Sequence, residues 1–292
     1  MKKSKYRAFF AEEIVAKSPY PQVTAPAVVY EGDRGSDALT FDWNCVAGPL
    51  SVEHPPCAGD RDQFVLFAGS DLDDLGKLGG TVRIHLGAER SERVISEPTL
   101  VYIPRGLTHG PVTFSEVEAP LVWMNFFTAP RFSKRWSGGG YDDLLARPRV
   151  LTGAFHTCTT CVGEPLSEQT WPEQVMVVLG DDLGPEGADF ALFYYAITAP
   201  YYMAERTHSH LQDMWLINLG GDPLEVEDFD AEVAMWWGEE AERLVVDSVS
   251  VARVPPGLLH RGLFYDPVRK PYVHIHVYTA PGPDKDVVFD EH

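Results

Sequence analysis

The sequence has few basic residues. It contains 24 lysines and arginines against 43 aspartates and glutamates, which gives a formal net charge of −19 at pH 7. A chain this acidic repels the phosphate backbone of nucleic acids and the anionic surface of membranes. We therefore expect neither nucleic acid nor a membrane among its partners.

Cysteines and long apolar runs are also scarce. The four cysteines of the 292 residues are Cys45, Cys57, Cys158 and Cys161. So few cysteines do not make a disulfide scaffold. No run of 18 apolar residues occurs, and Glu12 and Glu13 interrupt the apolar region that a secretion signal would need. The sequence thus predicts a cytoplasmic protein whose cysteines are thiols.

An internal repeat organises the chain. A length of 292 residues, of which 45% are hydrophobic, suits two globular domains with cores of their own. A single offset of 151 residues superimposes 49–130 on 200–281 without a gap. Within these segments PRGLTH at 104–109 falls on PPGLLH at 255–260. We interpret the two segments as two copies of one domain.

The sequence pattern of each copy is typical of short β-strands. Runs rich in β-branched and aromatic residues, such as 64–67, 99–103 and 121–127, alternate with glycine, proline and aspartate, and long helical periods are absent. Such spacing is typical of antiparallel sandwiches and barrels. The predicted divisions are a short amino-terminal helix or arm (1–22), a first all-β domain (23–130), a connector (131–170) and a second all-β domain (171–284).

The second copy holds three histidines with the spacing of metal ligands. In RTHSH at 206–210, the two-residue period of a strand puts Arg206, His208 and His210 on one face. His260 follows a Pro-Gly turn that can hold it against a neighbouring strand. Three imidazoles suit Zn, Fe, Cu or Ni and leave coordination positions for water or substrate. Arg206 either binds an anionic group of the substrate or forms a salt bridge at the rim.

The pattern HxH at 208–210 followed by Gly220, and then PxGxxH at 255–260, resembles the two sequence motifs of the cupin superfamily. The second motif occurs twice in the same register, so the whole chain resembles a bicupin. The resemblance implies two jelly-roll β-barrels and a metal on His208, His210 and His260 of the second. Iron is the divalent transition metal that we expect first, with zinc, manganese or nickel as alternatives.

One position of the second copy departs from the cupin pattern. Met214 stands where the first motif has a glutamate, and Asp213 precedes it. Asp62 occupies the place of Asp213 in the copy that lacks the HxH pair. Asp213 is therefore either a fourth ligand or a structural residue.

The first copy keeps only one of the three histidines. His109 matches His260, but Cys57 and Gly59 stand where the other two would be. A set made of Cys57, Gln63 and His109 would be an unusual metal cage. We expect the first barrel to hold no metal tightly, and to support the second, form a dimer or bind something else.

Two further histidines lie near the end of the second copy. In VHIHVY at 273–278, alternation puts His274, His276 and Tyr278 on one face. If that face lines the barrel, His274 and His276 are candidates for proton transfer next to the metal. Otherwise they are interface or packing histidines.

The connector contains a CxxC pair, Cys158 and Cys161, with His156 ahead of it. No second pair and no thioredoxin-like context accompanies it. Two free thiols are the favoured interpretation, over a metal knuckle or a redox pair.

Two functional hypotheses follow from the resemblance. The first is a metal-dependent enzyme for a small anionic or phenolic substrate. Dioxygenase chemistry is slightly favoured over isomerase, lyase or decarboxylase chemistry, because three-histidine cupin sites occur in dioxygenases for thiols and hydroxylated aromatic acids. The second is a non-catalytic bicupin that binds a small molecule. A homodimer is expected by analogy with other cupins.

Overall fold

The computed structural model describes residues 4–32, 39–52, 59–128, 140–152, 174–184, 187–203, 207–280, 282 and 285–286. These residues form antiparallel sheets and no α-helix. Among these described residues, 3-10 helices lie at Lys5–Phe9, Tyr141–Leu144 and Gly180–Asp182. Among the described residues no helix has the length and apolar character needed to cross a membrane. The predicted all-β fold is confirmed.

Two sheets make up the first barrel. The strands of the larger sheet are β2 (Val15–Lys17), β3 (Pro26–Glu31), β4 (Thr40–Val46), β6 (Asp62–Gly69), β9 (Thr99–Ile103), β11 (Leu121–Thr128) and β12 (Leu145–Ala146). Their order is β12-β9-β6-β11-β4-β3-β2. The smaller sheet consists of β5 (Leu50–Val52), β7 (Thr81–Leu86), β8 (Ser91–Ile95) and β10 (His109–Ser115), in the order β5-β10-β7-β8.

The second barrel repeats this arrangement. The strands of its larger sheet are β1 (Phe10–Ala11), β13 (Arg149–Thr152), β14 (Gln174–Val178), β15 (Ala191–Ile197), β18 (Met214–Gly220), β21 (Ser250–Val254) and β23 (Tyr272–Tyr278), in the order β1-β21-β18-β23-β15-β14-β13. Its smaller sheet consists of β16 (Tyr201–Met203), β19 (Ala231–Trp237), β20 (Glu242–Val246) and β22 (His260–Val268), in the order β16-β22-β19-β20. A separate pair joins β17 (Ser209–His210) to β24 (Lys285–Asp286).

The repeat found in the sequence is a repeat of structure. Strands β4, β8 and β9 each begin and end 151 residues before β15, β20 and β21. The order of the corresponding strands is the same in both large sheets. Two tandem jelly-roll barrels related by an internal repeat are therefore confirmed.

The larger sheet of each barrel is completed at one edge by a short segment that lies outside the barrel's own run of strands. The first 3-10 helix leads into β1, which pairs with β21 of the second barrel. The second 3-10 helix leads into β12, which pairs with β9 of the first barrel. We call these two segments, 5–11 and 141–146, the crossed arms. Because of them, part of the predicted connector belongs to the sheets.

Alternation along the strands separates two layers of core. On β23, Val273, Ile275 and Val277 belong to a core that both barrels share, in which Phe64 stacks on Phe190 at a ring distance of 4.0 Å. The opposite face of β23 points into the second barrel, where a separate apolar cluster lies. His274, His276 and Tyr278 therefore face the interior of the barrel.

Candidate metal centre

The two sequence motifs of the second copy meet through backbone hydrogen bonds. His208 and His260 form a reciprocal pair, in which each amide donates to the other's carbonyl at 2.9 Å. The amide of Gly257 donates to the carbonyl of His210, also at 2.9 Å. Within the described residues 207–210, the expected strand is present at Ser209–His210, and His208 makes an isolated bridge. The turn thus holds all three histidines at one end of the barrel.

The three imidazoles converge. One nitrogen of each of His208, His210 and His260 lies within 4.8 Å of the other two, and all three side chains are buried. Their ring centroids are separated by 4.2 to 5.1 Å. An ion with metal–nitrogen distances of about 2.1 Å holds its ligand nitrogens roughly 3 to 4 Å apart. Small rotations of the side chains would bring these nitrogens to a common ion.

The donor set fits a transition metal. The Nδ1 of His260 lies 2.9 Å from the carbonyl oxygen of Leu258. A carbonyl can only accept, so Nδ1 carries the proton and Nε2 keeps the lone pair that a metal requires. His109 makes the same contact with Leu107 at 3.1 Å in the first barrel.

The carboxylate of Asp213 pairs with an arginine side chain. Asp213 is 2% exposed, and its Oδ1 accepts a hydrogen bond from the Nε of Arg253 at 2.7 Å. Its counterpart Asp62 accepts from the hydroxyl of Tyr102, which stands at the position equivalent to Arg253, and from the backbone amide of Arg105. The candidate ligand group among the described residues contains the three histidines and no carboxylate. This geometry favours the structural interpretation of both aspartates.

A chain of hydrogen bonds crosses the interior of the second barrel. Its members are Ser250, Asn218, His274, His276 and Tyr278. Strand register aligns the first three of these residues across β21, β18 and β23. The Nδ1 of His274 lies 2.7 Å from the Oδ1 of Asn218, and its Nε2 lies 2.8 Å from the Nε2 of His276. The Nδ1 of His276 lies 3.4 Å from the hydroxyl of Tyr278. We call this set the interior chain.

The interior chain leads to the three converging imidazoles of His208, His210 and His260, which we call the imidazole cluster. The ring of Tyr278 lies 5.4 Å from that of His210 in an edge-to-face contact. His274 is 0% and His276 5% exposed, so neither contacts bulk water to any extent. Burial, together with the neighbouring His276, lowers the pKa of His274 well below its usual value. His274 is therefore neutral at ordinary pH.

The first barrel carries a different polar network at the corresponding place. Asn125 replaces His276, accepts from Gln63 at 3.0 Å and donates to Asp42 at 2.8 Å. Asn44 also donates to Asp42. Burial raises the pKa of Asp42 to about 6. Among the described residues this barrel has no group of three potential metal ligands.

Some predicted residues lie outside the described part of the chain: Arg206, Cys57, His156, Cys158 and Cys161. Cys45 is described as a buried free thiol. The residue that sequence reasoning missed is Asn218. A signal for it existed, because alternation in MWLINLG at 214–220 puts this asparagine on the same face as Met214 and Leu216 in an otherwise apolar run.

Solved structures share this architecture over nearly the whole chain. Oxalate decarboxylase from Lactobacillus farciminis, in complex with formate, has a TM-score of 0.58 and 9% identity, covering 96% of this chain and 88% of its own. Bacillus subtilis oxalate decarboxylase has a TM-score of 0.56 and 10% identity, covering 96% and 79%. AerE from Microcystis aeruginosa has a TM-score of 0.54 and 10% identity, covering 92% and 98%.

No protein-family model matches the sequence, and no curated protein matches it either. At identities near 10% the likeness to solved structures establishes the fold alone. Together with the duplicated barrels, this likeness shows that the chain has the double-barrel fold of the oxalate decarboxylases.

Proposed function

We propose that this bicupin is a metal-dependent enzyme whose metal is bound by His208, His210 and His260 in the second barrel. The observation that carries the proposal is the convergence of three buried imidazole nitrogens within 4.8 Å. Buried histidines that serve only for packing have no reason to aim their nitrogens at one point. The matching place in the first barrel, with Gly59 and His109, serves as an internal contrast.

Iron(II) is the metal that we propose first, with manganese, zinc and nickel as alternatives. An all-imidazole set accepts each of these ions, so ligand type alone does not rank them. Bacillus subtilis oxalate decarboxylase, which shares the fold, has Mn(II) centres. When bound, the metal would supply Lewis-acid or redox chemistry at a position open to a small ligand.

The interior of the second barrel limits where a substrate can bind. Inside the barrel, a cavity of about 20 Å³ lies between Phe10, Trp237 and His274. This is room for about one water molecule. We infer that a substrate reaches the metal at the mouth of the barrel. His274 and His276 then exchange protons with the substrate only through Tyr278.

The substrate that we propose is a small organic molecule, anionic or phenolic, with Arg206 as the residue that orients an anionic group. Dioxygenase chemistry is our first proposal. Decarboxylase chemistry is the second, because the oxalate decarboxylases share the double-barrel architecture. A cytoplasmic homodimer is part of the same proposal. Sedimentation of the purified protein checks the dimer.

Elemental analysis of protein purified without a histidine tag or chelator tests the metal site. The comparison is between wild type, the double variant His208→Ala/His260→Ala, and His109→Ala as the matched control. His109 occupies the place of His260 and makes the same backbone contact, but has no partner histidines in the aligned sequence. We expect about one equivalent of metal in wild type and in His109→Ala, and loss of that metal in the double variant.

The identity of the metal directs the next experiment. Iron would lead to oxygen-uptake assays with hydroxylated aromatic acids and thiols, and manganese to assays of carbon dioxide release from oxalate and related dicarboxylates. A wild-type protein that contains no metal after purification and takes up none on reconstitution would refute the enzyme proposal. The non-catalytic small-molecule-binding bicupin would then be the better account.

A further inference from the structure

The hydrogen bonds of the interior chain all donate in the same direction along the chain. Each of its links needs one donor and one acceptor, and a neutral imidazole has one N–H and one lone-pair nitrogen. The Oδ1 of Asn218 can only accept, so the Nδ1 of His274 carries the proton of that link. The Nε2 of His274 is then an acceptor, and the proton of the next link belongs to the Nε2 of His276.

The same rule extends to the phenol. With its proton on Nε2, His276 offers a lone pair at Nδ1, and the hydroxyl of Tyr278 donates to it. At the other end, the Nδ2 of Asn218 donates to the Oγ of Ser250 at 3.1 Å. Turning that amide over would reverse every link of the chain. The orientation of one asparagine therefore determines which atom carries the proton at each step.

The interior chain occurs in the same barrel as the imidazole cluster. At the positions of Asn218, His274 and His276 the first barrel has Phe67, Trp123 and Asn125. Only the barrel with three converging imidazoles therefore has a chain of this kind at these positions. Proton transfer along the interior chain ends at Asn218, because a side-chain amide does not pass protons on.

We propose that Asn218 is a positioning residue that fixes the tautomers of His274 and His276 and thereby makes Tyr278 a hydrogen-bond donor to His276. The single proton of the phenol is used inside the barrel, so at the imidazole cluster Tyr278 acts as an acceptor. A ligand group that meets Tyr278 is then one with an O–H, N–H or S–H, as in a hydroxylated aromatic or a thiol, and not a bare carboxylate. This last step rests on the proposed function, since it takes the cluster as the place where the ligand binds.

Nuclear magnetic resonance of the full-length protein labelled with ¹⁵N-histidine tests the direction of the chain. Long-range proton–nitrogen spectra distinguish the two tautomers, and His274→Gln and His276→Gln assign the signals. We expect His274 as the Nδ1–H form and His276 as the Nε2–H form, each in roughly tenfold excess over the alternative. Replacement of Tyr278 by phenylalanine should shift the Nδ1 resonance of His276. The reverse tautomer in wild type, or a mixture of both, would overturn the proposal.

Two matched variants test the role of Asn218. Asn218→Leu should leave His274 and His276 as mixtures of tautomers. Asn44→Leu, which removes an equally buried asparagine from the first barrel, should leave both tautomers as in wild type. Unchanged tautomers in Asn218→Leu would show that another group sets the direction. If this variant does not fold, the wild-type and Tyr278→Phe spectra still decide the direction.

Metal content of the same samples keeps the two proposals apart. The expected tautomers in a protein that takes up no metal would count against the proposed function and leave the role of Asn218 intact. One equivalent of metal in a protein with reversed tautomers would do the opposite.

Discussion

Single side chains distinguish the interiors of the two barrels, because the two backbones are nearly equivalent. Asn125 and His276 occupy the same position, yet one joins a network around a carboxylate and the other a chain of imidazoles. In the first barrel Asp42 is the central acceptor. Its burial has a measurable consequence for stability.

We expect Asp42 to make the protein less stable as the pH rises from about 4 to about 6. The pKa of Asp42 is raised to about 6 in the folded state, so the folded protein holds this proton more tightly than the unfolded chain does. The favourable contribution is complete below the unfolded pKa near 4 and is lost as the pH passes the folded pKa. Two pKa units correspond to about 3 kcal/mol. Urea titrations at pH 4, 5, 6 and 7 measure this change in the free energy of unfolding.

The variant Asp42→Asn should lose this part of the pH dependence, since an amide does not titrate. Asp60→Asn, at an exposed aspartate, is the control and should follow wild type. If Asp42→Asn kept the wild-type slope between pH 4 and 6, Asp42 would not be its source.

At the scale of elements, the turn of the second motif is built the same way in both barrels. The amide of Gly257 donates to His210, and that of Gly106 donates to Gly59 at 2.8 Å, in equivalent hydrogen bonds. Both glycines have a left-handed φ, near +74° and +80°. The turn therefore sets the backbone whether or not the histidines are present.

Because the turn is duplicated, two substitutions should give the first barrel a metal site. The double variant Cys57→His/Gly59→His places histidines at the positions equivalent to His208 and His210, beside the existing His109. A side chain at Gly59 has space, since its Cβ would lie 3.6 Å from the nearest atom. We expect a second equivalent of metal by elemental analysis. A metal content equal to that of wild type would mean that the first barrel differs in more than these side chains.

The crossed arms depend on glycines that leave room for tyrosines. Gly238 has a φ of +72°, and a Cβ there would clash with the ring and hydroxyl of Tyr6. Gly106→Ala has the same backbone strain and no clash, because nothing lies within 4 Å of its Cβ position. We expect Gly106→Ala to cost about 1 to 2 kcal/mol, and Gly238→Ala to cost clearly more because the arm is displaced.

Combining Gly238→Ala with Tyr6→Ala gives a double-mutant cycle, and chemical denaturation measures the free energy of unfolding of each variant. Removal of the tyrosine removes the two shortest contacts of the added Cβ and leaves the contact with the Oε2 of the Glu240 side chain, at 2.7 Å. Gly238→Ala should therefore cost less in the Tyr6→Ala background than in wild type. Additive effects would indicate that Tyr6 does not pack against Gly238.

At the scale of the whole molecule, the crossed arms and the shared core tie the two barrels together. The segment 5–11, at the start of the chain, joins the sheet of the second barrel, and the segment 141–146, just before β13 of the second barrel, joins the sheet of the first. The shared core contains Phe190, which stacks on Phe64 of the first barrel. Neither barrel can unfold without exposing apolar surface of its partner.

We therefore expect one cooperative unfolding transition, even in a variant weakened at the interface. Phe190→Ala should lower the free energy of unfolding by about 3 to 5 kcal/mol, because Phe190 is fully buried. Differential scanning calorimetry should show a single peak with equal calorimetric and van't Hoff enthalpies for both proteins. Two separated peaks in the variant would mean that the barrels fold independently.

The sequence by itself determined the all-β fold, the duplication and the three converging histidines. These features follow from local rules: strand alternation, turn residues at fixed spacing, and one offset that holds over both copies. The parity of His208 and His210 could be predicted because a strand repeats every two residues.

Only the tertiary structure decided which face of β23 lines the barrel, that Asp213 binds Arg253, and that Asn218 lies beside His274. These facts depend on contacts between strands that are 32 to 56 residues apart in the chain. The exchange of the arms likewise depends on pairing across the two halves. Register and packing between distant strands are set by the whole fold, and no local pattern in the sequence records them.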